Sequence, residues 1–196
     1  NDGSSTAKPH AAIATRVSSN VVSVSVDDAL GTWADKTLSS LTAGTAMNVA
    51  TGYIAAGTNR FIVTSNSDQD VAYSDDGGTN WSQVLNGNYR DIEFKPGNSQ
   101  VLYAASQGQV KHTVNGGDNW SSALGISTGA SRIALAVTPA DDSYVYALVA
   151  NGSGSYRGLY RSTDSGESFT ARNTTTDCFE GDQSWYDMAI GVSATD

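Results

Sequence analysis

The stretch Ser74-Asp75-Asp76-Gly77-Gly78-Thr79-Asn80-Trp81 recurs twice further along the chain in altered form. Each copy has the pattern Ser/Thr-x-Asp/Asn-x-Gly-x-x-aromatic, and the copies begin at residues 74, 113 and 162, at intervals of 39 and 49 residues. A weaker relative runs from Ser25 to Trp33. Four short strands with their turns need roughly 40 to 50 residues. The motif therefore marks a repeated unit of four strands.

The residue types of the motif predict the turn of a β-hairpin. Glycine adopts positive φ without steric cost, and Asp or Asn side chains bond to nearby backbone amides. Strand-like segments flank each copy, such as Gln109 to Thr113 before the second copy and Asn119 to Leu124 after it. Two further apolar segments precede that hairpin, at residues 91–98 and 101–106. Each unit is thus predicted to be a four-stranded antiparallel propeller blade.

The composition favours an all-β fold and excludes several functions. The 196 residues include 20 glycines but only 3 prolines, which suits many short strands and tight turns. With 11 basic against 20 acidic residues and a net charge of -9, the chain lacks the cationic surface that nucleic acids require. The single cysteine, Cys178, excludes an internal disulfide. No apolar run is long enough to cross a bilayer as a helix, so we expect no membrane insertion.

The two ends of the chain do not follow the complete unit. We predict a flexible lead-in over residues 1–10 and one propeller domain, or a portion of one, over residues 11–196. The first unit offers three strands and lacks an innermost one; the three are Ala11 to Val17, Val21 to Asp27 and Trp33 to Leu38. The last segment, Tyr186 to Val192, is typical of an innermost strand but no blade follows it. Either it completes the first blade in a small ring, or the chain belongs to a larger propeller, which we favour.

The motifs resemble the Asp box, or BNR repeat, whose pattern is Ser/Thr-x-Asp-x-Gly-x-x-Trp/Phe. The first and third copies match in full, while the second departs by having Asn115 in place of Asp. The resemblance covers most of residues 47 to 172 and implies a β-propeller with about four blades present. It also implies that the box residues are structural and lie away from the binding face. These residues are Ser74, Asp76, Gly78, Trp81, Thr113, Asn115, Gly117, Trp120, Ser162, Asp164, Gly166 and Phe169.

Proteins with this repeat include sialidases, xyloglucan-hydrolysing glycosidases, sortilin-type receptors, photosystem-assembly factors and surface proteins of Bacteroidetes. Sialidases also have an Arg-Ile-Pro segment near the start, which Thr15-Arg16-Val17-Ser18 does not match. Other glycosidases need two carboxylates facing one bond, and the sequence alone pairs none. We therefore assign no catalytic residue; the weak candidates are Asp91, Asp182 and Asp187.

The segment 173–187 is the most unusual loop in composition, because carboxylates stand beside aromatic residues. This combination suits sugar binding, in which ring faces stack on the sugar and acids accept hydroxyl protons. The ligand-binding candidates are Glu180, Asp182, Trp185 and Tyr186. The alternative is a surface loop in which Trp185 packs onto the next blade.

We therefore expect a secreted or cell-surface interaction module without catalytic activity. It would bind a glycan or a protein on the propeller face opposite the motifs. The first alternative is a polysaccharide-degrading glycosidase of the xyloglucanase type, and the second is a structural subunit of an extracellular assembly joined by its incomplete blades. We expect no cofactor and no metal site, although the acidic run Asp75-Asp76-Gly77-Gly78 leaves calcium open.

Overall fold

The computed structural model describes residues 12–17, 21–25, 33–37, 46–55, 58–65, 70–126, 129–177, 179, 184 and 188–195. The predicted lead-in over residues 1–10 lies outside them. All the regular structure in the described residues is β-strand, in four antiparallel sheets that follow one another in the chain. The predicted all-β fold is therefore confirmed.

Each sheet is a simple meander, and we call the four sheets blades 1 to 4. Blade 1 consists of β1 (Ala12–Val17), β2 (Val21–Ser25) and β3 (Trp33–Thr37). Blade 2 consists of β4 (Ala46–Ala55), β5 (Thr58–Ser65), β6 (Asp70–Ser74) and β7 (Ser82–Asn86). Blade 3 consists of β8 (Tyr89–Lys95), β9 (Asn98–Ser106), β10 (Gln109–Thr113) and β11 (Ser121–Ser122). Blade 4 consists of β12 (Ala130–Val137), β13 (Val145–Asn151), β14 (Tyr156–Ser162) and β15 (Thr170–Asn173).

The apolar core lies between successive blades. One cluster joins blades 2 and 3 and includes Ile62, Ile92 and Leu102, all buried. A second cluster joins blades 3 and 4 and includes Tyr103 and Val149, also buried. The second strands β9 and β13 are almost continuously buried along their length, as expected for strands covered on both faces. The first strands β4, β8 and β12 lie next to one another and form the inner layer of the arc.

The pairing register is the same in every motif hairpin. In blades 2, 3 and 4 the residue before the motif Ser/Thr pairs with the residue after the motif aromatic; these pairs are Tyr73 with Ser82, His112 with Ser121 and Arg161 with Thr170. In blade 1, Val24 pairs with Ala34, which is the same relation to Ser25 and Trp33. Strands β2 and β3 therefore correspond to the third and fourth strands of a blade, and β1 corresponds to the second. The predicted absence of an innermost strand in the first unit stays a prediction, because residues 1–11 and 38–45 lie outside the described residues.

Two predicted strands differ from the structure. Of the predicted strand Tyr186 to Val192, residues 188–192 are described; they lie beside β12 but form no strand. An innermost strand pairs only with the second strand of its own blade, and the described residues supply no such partner to this segment. The predicted strand Asn119 to Leu124 is reduced to Ser121–Ser122, because Leu124 turns away and exchanges backbone hydrogen bonds with Glu167 and Phe169 of blade 4, each at 2.9 Å.

Candidate functional site

The two ends of each inner strand can be told apart by the motif. In blade 3, Phe94 pairs with Leu102 and Leu102 pairs with Thr113, the first residue of the motif. The motif therefore lies at the C-terminal end of β8. In blade 4 the same pairing runs through Val137 and Val145, which places the motif at the C-terminal end of β12.

Four charged side chains cluster on the inner strands β8 and β12, and three of them lie away from that end. Arg90 and Asp91 lie near the start of β8, and Arg132 lies near the start of β12. Glu93 follows Asp91 by two residues, so both side chains lie on the same side of the strand. All four residues are half-buried. We call these four residues the inner-edge cluster.

Asp91 connects the two inner strands. Its Oδ2 accepts a hydrogen bond from the backbone N–H of Leu135 on β12 at 2.7 Å, and its Oδ1 accepts one from the N–H of Ile92 at 3.0 Å. Burial raises the pKa of Asp91, although these two bonds and the charge of Arg132 oppose the rise. Asp91 therefore holds blade 3 against blade 4 at the inner edge.

Glu93 differs from Asp91 in its surroundings. Burial, with the negative charge of Asp91 as a second cause, raises the pKa of Glu93 to about 7. No hydrogen bond from the described residues offsets this rise. Near neutral pH the Glu93 carboxyl group is thus divided between a form that donates a hydrogen bond and a form that only accepts.

The two arginines of the cluster also lie close to each other. Burial lowers the pKa of Arg132, the charge of Arg90 lowers it further, and Asp91 raises it. The Nη1 of Arg132 donates a long hydrogen bond to the backbone oxygen of Ser184 at 3.4 Å. Because a guanidinium stays protonated in proteins, the cluster holds two permanent positive charges beside two carboxyl groups.

A cavity of about 270 Å³ adjoins the inner-edge cluster. Its walls combine the four charged residues with apolar residues of β12 and with Met188, Ala189 and Ile190. This volume lies just below the roughly 300 to 1,000 Å³ that is usual for small-molecule pockets. It therefore suits one side chain or one small residue of a partner.

Of the predicted catalytic and ligand-binding residues, only Asp91 is described by the structure. Glu180, Asp182, Trp185, Tyr186 and Asp187 lie outside the described residues, so their assigned roles stay predictions. Two of their neighbours are described. The ring of Phe179 packs edge to face on Tyr156, with ring centroids 5.5 Å apart, and Ser184 contacts Arg132 of the cluster.

The predicted motif residues close their hairpins through side-chain hydrogen bonds. In blade 2, Ser74 Oγ donates to Asp76 Oδ1 at 2.8 Å and accepts from the N–H of Gly78 at 2.9 Å. Asp76 Oδ1 also accepts from the N–H of Asn80 at 2.8 Å. The indole N–H of Trp81 donates to the backbone oxygen of Gly78 at 2.9 Å. These bonds satisfy turn groups that would otherwise lack partners.

The same bonds recur in the other two motifs. Thr113 donates to Asn115 at 2.8 Å in blade 3, and Ser162 donates to Asp164 at 2.7 Å in blade 4. The Gly117 and Gly166 N–H groups donate to Thr113 and Ser162, and Trp120 bonds Gly117 as Trp81 bonds Gly78. Phe169, the aromatic residue of the third motif, is buried.

In the first motif, hydrogen bonds, first that of the Asn80 backbone, lower the pKa of Asp76 to about 2.

Arg60 was missed by the sequence analysis. Its Nε and Nη2 donate to the two carboxylate oxygens of Asp75 at 2.7 Å, and its Nη1 donates to Asp118 at 2.7 Å and to the Gly116 oxygen at 2.8 Å. Its guanidinium also lies over the ring of Tyr73, 3.6 Å from the centroid. Burial acts to lower the pKa of Arg60, but the bonds to both carboxylates raise it overall. Arg60 thus joins the motif of blade 2 to that of blade 3.

Two further properties bear on the kind of site. Among the described residues, no group of three or more His, Cys, Asp or Glu side chains has the arrangement needed to hold a metal ion. In the same part of the chain, no helix has the length and hydropathy needed to span a membrane.

Comparison with known proteins identifies the fold. Models of known protein families do not match the sequence, and no curated protein matches it significantly. Among solved structures, the chain superposes on the GH74 enzyme of Niastella koreensis with a TM-score of 0.56 at 20% identity, over 86% of this chain and 23% of that one. It superposes on YCF48 from Cyanidioschyzon merolae with a TM-score of 0.53 at 19% identity, over 86% of this chain and 54% of that one. The chain has a β-propeller fold.

A third similar structure is YCF48 bound to D1 peptide, with a TM-score of 0.53 and 18% identity, over 87% of this chain and 58% of that one. The propeller arc described here thus spans between about a quarter and somewhat more than half of these relatives. At such identities the likeness concerns the fold alone.

Proposed function

We propose that this chain is a non-catalytic interaction module, secreted or displayed at a cell surface, that binds a partner on the propeller face opposite the turn motifs. The motifs are, in this proposal, Asp boxes with a structural role. The observation that supports the proposal best is the inner-edge cluster with its adjoining cavity. Three of its charged residues, Arg90, Asp91 and Arg132, lie near the ends of β8 and β12 that the motifs do not occupy, and Glu93 with the cavity extends from there along the strands.

Between a protein and a glycan, the cluster favours a protein partner. Among the described residues, its cavity is lined by two arginines, two carboxyl groups and apolar side chains without an aromatic ring. Sugar sites usually offer ring faces for stacking, whereas charged and aliphatic groups complement peptide side chains. A glycan partner would depend instead on Trp185 and Tyr186. The structure of YCF48 with a D1 peptide is an example of a similar fold in complex with a peptide.

Binding to a peptide array and a glycan array tests this proposal. We expect peptide ligands whose binding falls at least tenfold in Arg132→Ala, while Arg172→Ala, a change of an exposed residue on β15, has no effect. Trp185→Ala tests the loop separately. If Arg132→Ala binds as the unchanged chain does, the inner-edge cluster is not the site. Glycan binding that only Trp185→Ala abolishes would favour the glycan instead.

The glycosidase alternative is supported by one observation, the unequal environments of Asp91 and Glu93. Two carboxyl groups with different protonation are the usual requirement for glycoside hydrolysis, and GH74 enzymes have a similar fold. Against it, both residues project from one side of one strand, and Asp91 is already bonded to two amides. Catalysis requires carboxyl groups that flank the scissile bond.

Incubation with xyloglucan and measurement of released reducing ends distinguishes the two functions. The interaction module releases none. Hydrolysis that is lost in Glu93→Gln and kept in Glu167→Gln would overturn the non-catalytic proposal, because Glu167 is exposed in the blade 4 motif.

A further inference from the structure

The cavity at the inner-edge cluster brings two guanidinium groups and two carboxyl groups to one small volume. Arg90, Asp91, Glu93 and Arg132 line it together with aliphatic side chains of β12. A cavity of about 270 Å³ holds a bound group within about 8 Å of each wall, which is the screening length at physiological ionic strength. A charge that enters this cavity therefore interacts with all four charged residues.

The two carboxyl groups differ in which form their surroundings favour. Burial raises the pKa of Asp91, but the N–H groups of Ile92 and Leu135 bond to its two oxygens and favour the ionised form, as does the charge of Arg132. Burial and then the charge of Asp91 act against ionisation of Glu93, and no hydrogen bond from the described residues offsets them. Glu93 is therefore the one that takes up a proton more readily.

Several other charged or titratable side chains lie on β8 and on the described strands packed against it; they are Arg60, Tyr89, Arg90, Asp91, Lys95, Tyr103 and Arg132. Burial raises the pKa of Tyr89 and of Tyr103, so both hydroxyl groups stay protonated near neutral pH. Arg60 and Lys95 bond to motif residues at the other end of the strands. Glu93, whose pKa is about 7, is the group of this set expected to change its charge between pH 6 and pH 8.

The surroundings of Glu93 decide between a cationic and an anionic partner group. An ammonium group in the cavity would join two permanent positive charges and would require Glu93 to be fully ionised, which its burial disfavours. A carboxylate would require Glu93 to be protonated, which the same burial favours. The donor geometry of a guanidinium also matches a carboxylate. The site therefore favours a carboxylate.

Resting on the proposed function, in which this site binds a peptide, we propose that the partner inserts a carboxylate that Arg90 and Arg132 bind, and that Glu93 takes up a proton as it enters. The carboxylate belongs to an acidic side chain or to the C-terminus of the partner. With it, two negative charges, its own and that of Asp91, face the two guanidinium groups. Protonated Glu93 donates a hydrogen bond, whereas its ionised form only accepts and repels the incoming group.

Proton uptake makes binding depend on pH in one direction. With a pKa of about 7, Glu93 is protonated in about nine-tenths of the free chains at pH 6 and in about one-tenth at pH 8. The apparent affinity scales with the fraction of chains in the form that binds. The carboxylate of the partner stays ionised over this range, because its ordinary pKa is near 4. The partner should therefore bind about tenfold more weakly at pH 8 than at pH 6.

Matched peptides test which group enters the cavity. Peptides without histidine are arrayed as free acids and as C-terminal amides, and each Asp or Glu is replaced in turn by Asn or Gln. Among peptides whose binding falls in Arg132→Ala, removal of one carboxylate should weaken binding at least tenfold at pH 6. Loss of binding in the amide identifies a C-terminal carboxylate, and loss on replacement identifies an acidic side chain.

Two results of this array have different meanings. Peptides that depend on Arg132 but bind equally well without any of their carboxylates would overturn the carboxylate, while the proposed function stands. A complete lack of peptides that depend on Arg132 would contradict the proposed function itself, and the carboxylate with it.

Glu93→Gln tests the proton. Glutamine keeps the size of the side chain and carries no charge, so this variant should bind the selected peptides equally at pH 6 and pH 8, at the affinity that the unchanged chain has at pH 6. The exposed Glu167→Gln should keep the tenfold dependence on pH. Calorimetry at pH 8 in two buffers of different ionisation enthalpy should find about one proton taken up per peptide by the unchanged chain, and none by Glu93→Gln. Equal binding of the unchanged chain at both pH values, or the same dependence in Glu93→Gln, would show that Glu93 binds no proton on complex formation.

Discussion

At the motif end of blades 2 and 3 an arginine is paired with two carboxylates, whereas the inner-edge cluster brings like charges together as well as opposite ones. Arg60, whose side chain is 5% exposed, bonds to Asp75 and Asp118 of two successive motifs. On the inner edge, burial and secondly the charge of Asp91 raise the pKa of Glu93. Burial and secondly the charge of Arg90 lower the pKa of Arg132, and Asp91 opposes that decrease. The same sheets thus hold one set of paired charges and one set in which burial and like-charge repulsion shift the pKa values.

The contrast separates the charged groups that join neighbouring blades from those that lie on the inner strands. The motif hairpins join neighbouring blades, so paired charges there stabilise the arc. On the inner edge, burial of charged groups costs stability, and the hydrogen bonds of Asp91 and its attraction to Arg132 offset part of this cost. Four changes test this division, beginning with the largest expected effect.

Trp81→Ala should damage the motif end most. Trp81 is 6% exposed, and its loss removes a buried aromatic side chain and the bond to Gly78. We expect the free energy of unfolding to fall by about 3 to 5 kcal/mol in urea titration. Trp120→Ala is the matched change, and it should cost less because Trp120 is only half-buried. Equal losses of unfolding free energy in the two variants would show that the burial of the motif aromatic residue does not determine how much it stabilises the fold.

Arg60→Met removes the paired charges and keeps much of the side-chain volume. We expect a loss of about 2 to 3 kcal/mol, below the full cost of breaking a buried pair because Asp75 and Asp118 are 35% and 51% exposed. Lys95→Met is the control, because Lys95 makes the corresponding polar contacts between blades 3 and 4. Lys95 bonds to Ser165 at 2.8 Å and lies 3.5 Å from the exposed Asp142, so its loss should cost under about 1 kcal/mol. If Lys95→Met lowered the free energy of unfolding more than Arg60→Met, the contact between blades 2 and 3 would not be the stronger of the two.

Glu93→Gln should change how stability depends on pH. The pKa of Glu93 in the folded chain is about 7, above its ordinary 4.5, so the folded state holds the proton more tightly. The contribution of this group is therefore fully present below about pH 4.5 and is lost as the pH rises through about 7. We expect Glu93→Gln to raise the melting temperature at pH 8 and to change it little at pH 4. The exposed Glu167→Gln should show no such difference; the same profile in both variants would refute the shift.

Asn115→Asp should have the smallest effect. It tests whether Asp stabilises the motif turn more than Asn does. It gives blade 3 the carboxylate that Asp76 supplies in blade 2, where hydrogen bonds lower the pKa from 3.8 to about 2. A lowered pKa stabilises the folded chain above pH 4, and this gain is lost as the pH falls through about 2. We expect a gain of under about 0.5 kcal/mol at pH 7 in urea titration. A loss at pH 7 would mean that repulsion from the nearby Asp118 outweighs the hydrogen bonds.

The sequence predicts the hairpins well because their chemistry is local. Ser74, Asp76, Gly78 and Trp81 interact within eight residues, and each bond follows from the turn they form. The contact of Asp91 with Leu135 joins residues 44 apart in different blades, so its discovery needs the packing of one blade on the next.

Arg60 lies between these cases. Phe61 pairs with Ser74, so Arg60 lies across from Asp75. Pairing of opposite charges across neighbouring strands could therefore have predicted the contact of Arg60 with Asp75. Asp118 belongs to the next blade and gave no such signal. The short β11 was likewise unpredictable, because Leu124 bonds to the motif of blade 4 in place of its own sheet.

The shared hairpin register also bears on how a gene of this kind changes length. Recombination between two motif-coding regions would remove or duplicate one whole blade, because each motif continues into the same strand pairing. The new junction would fall inside a turn whose bonds are the same on both sides. Such recombination would therefore change the number of blades, and so the size of the ring, without disrupting the strand pairing within any one sheet.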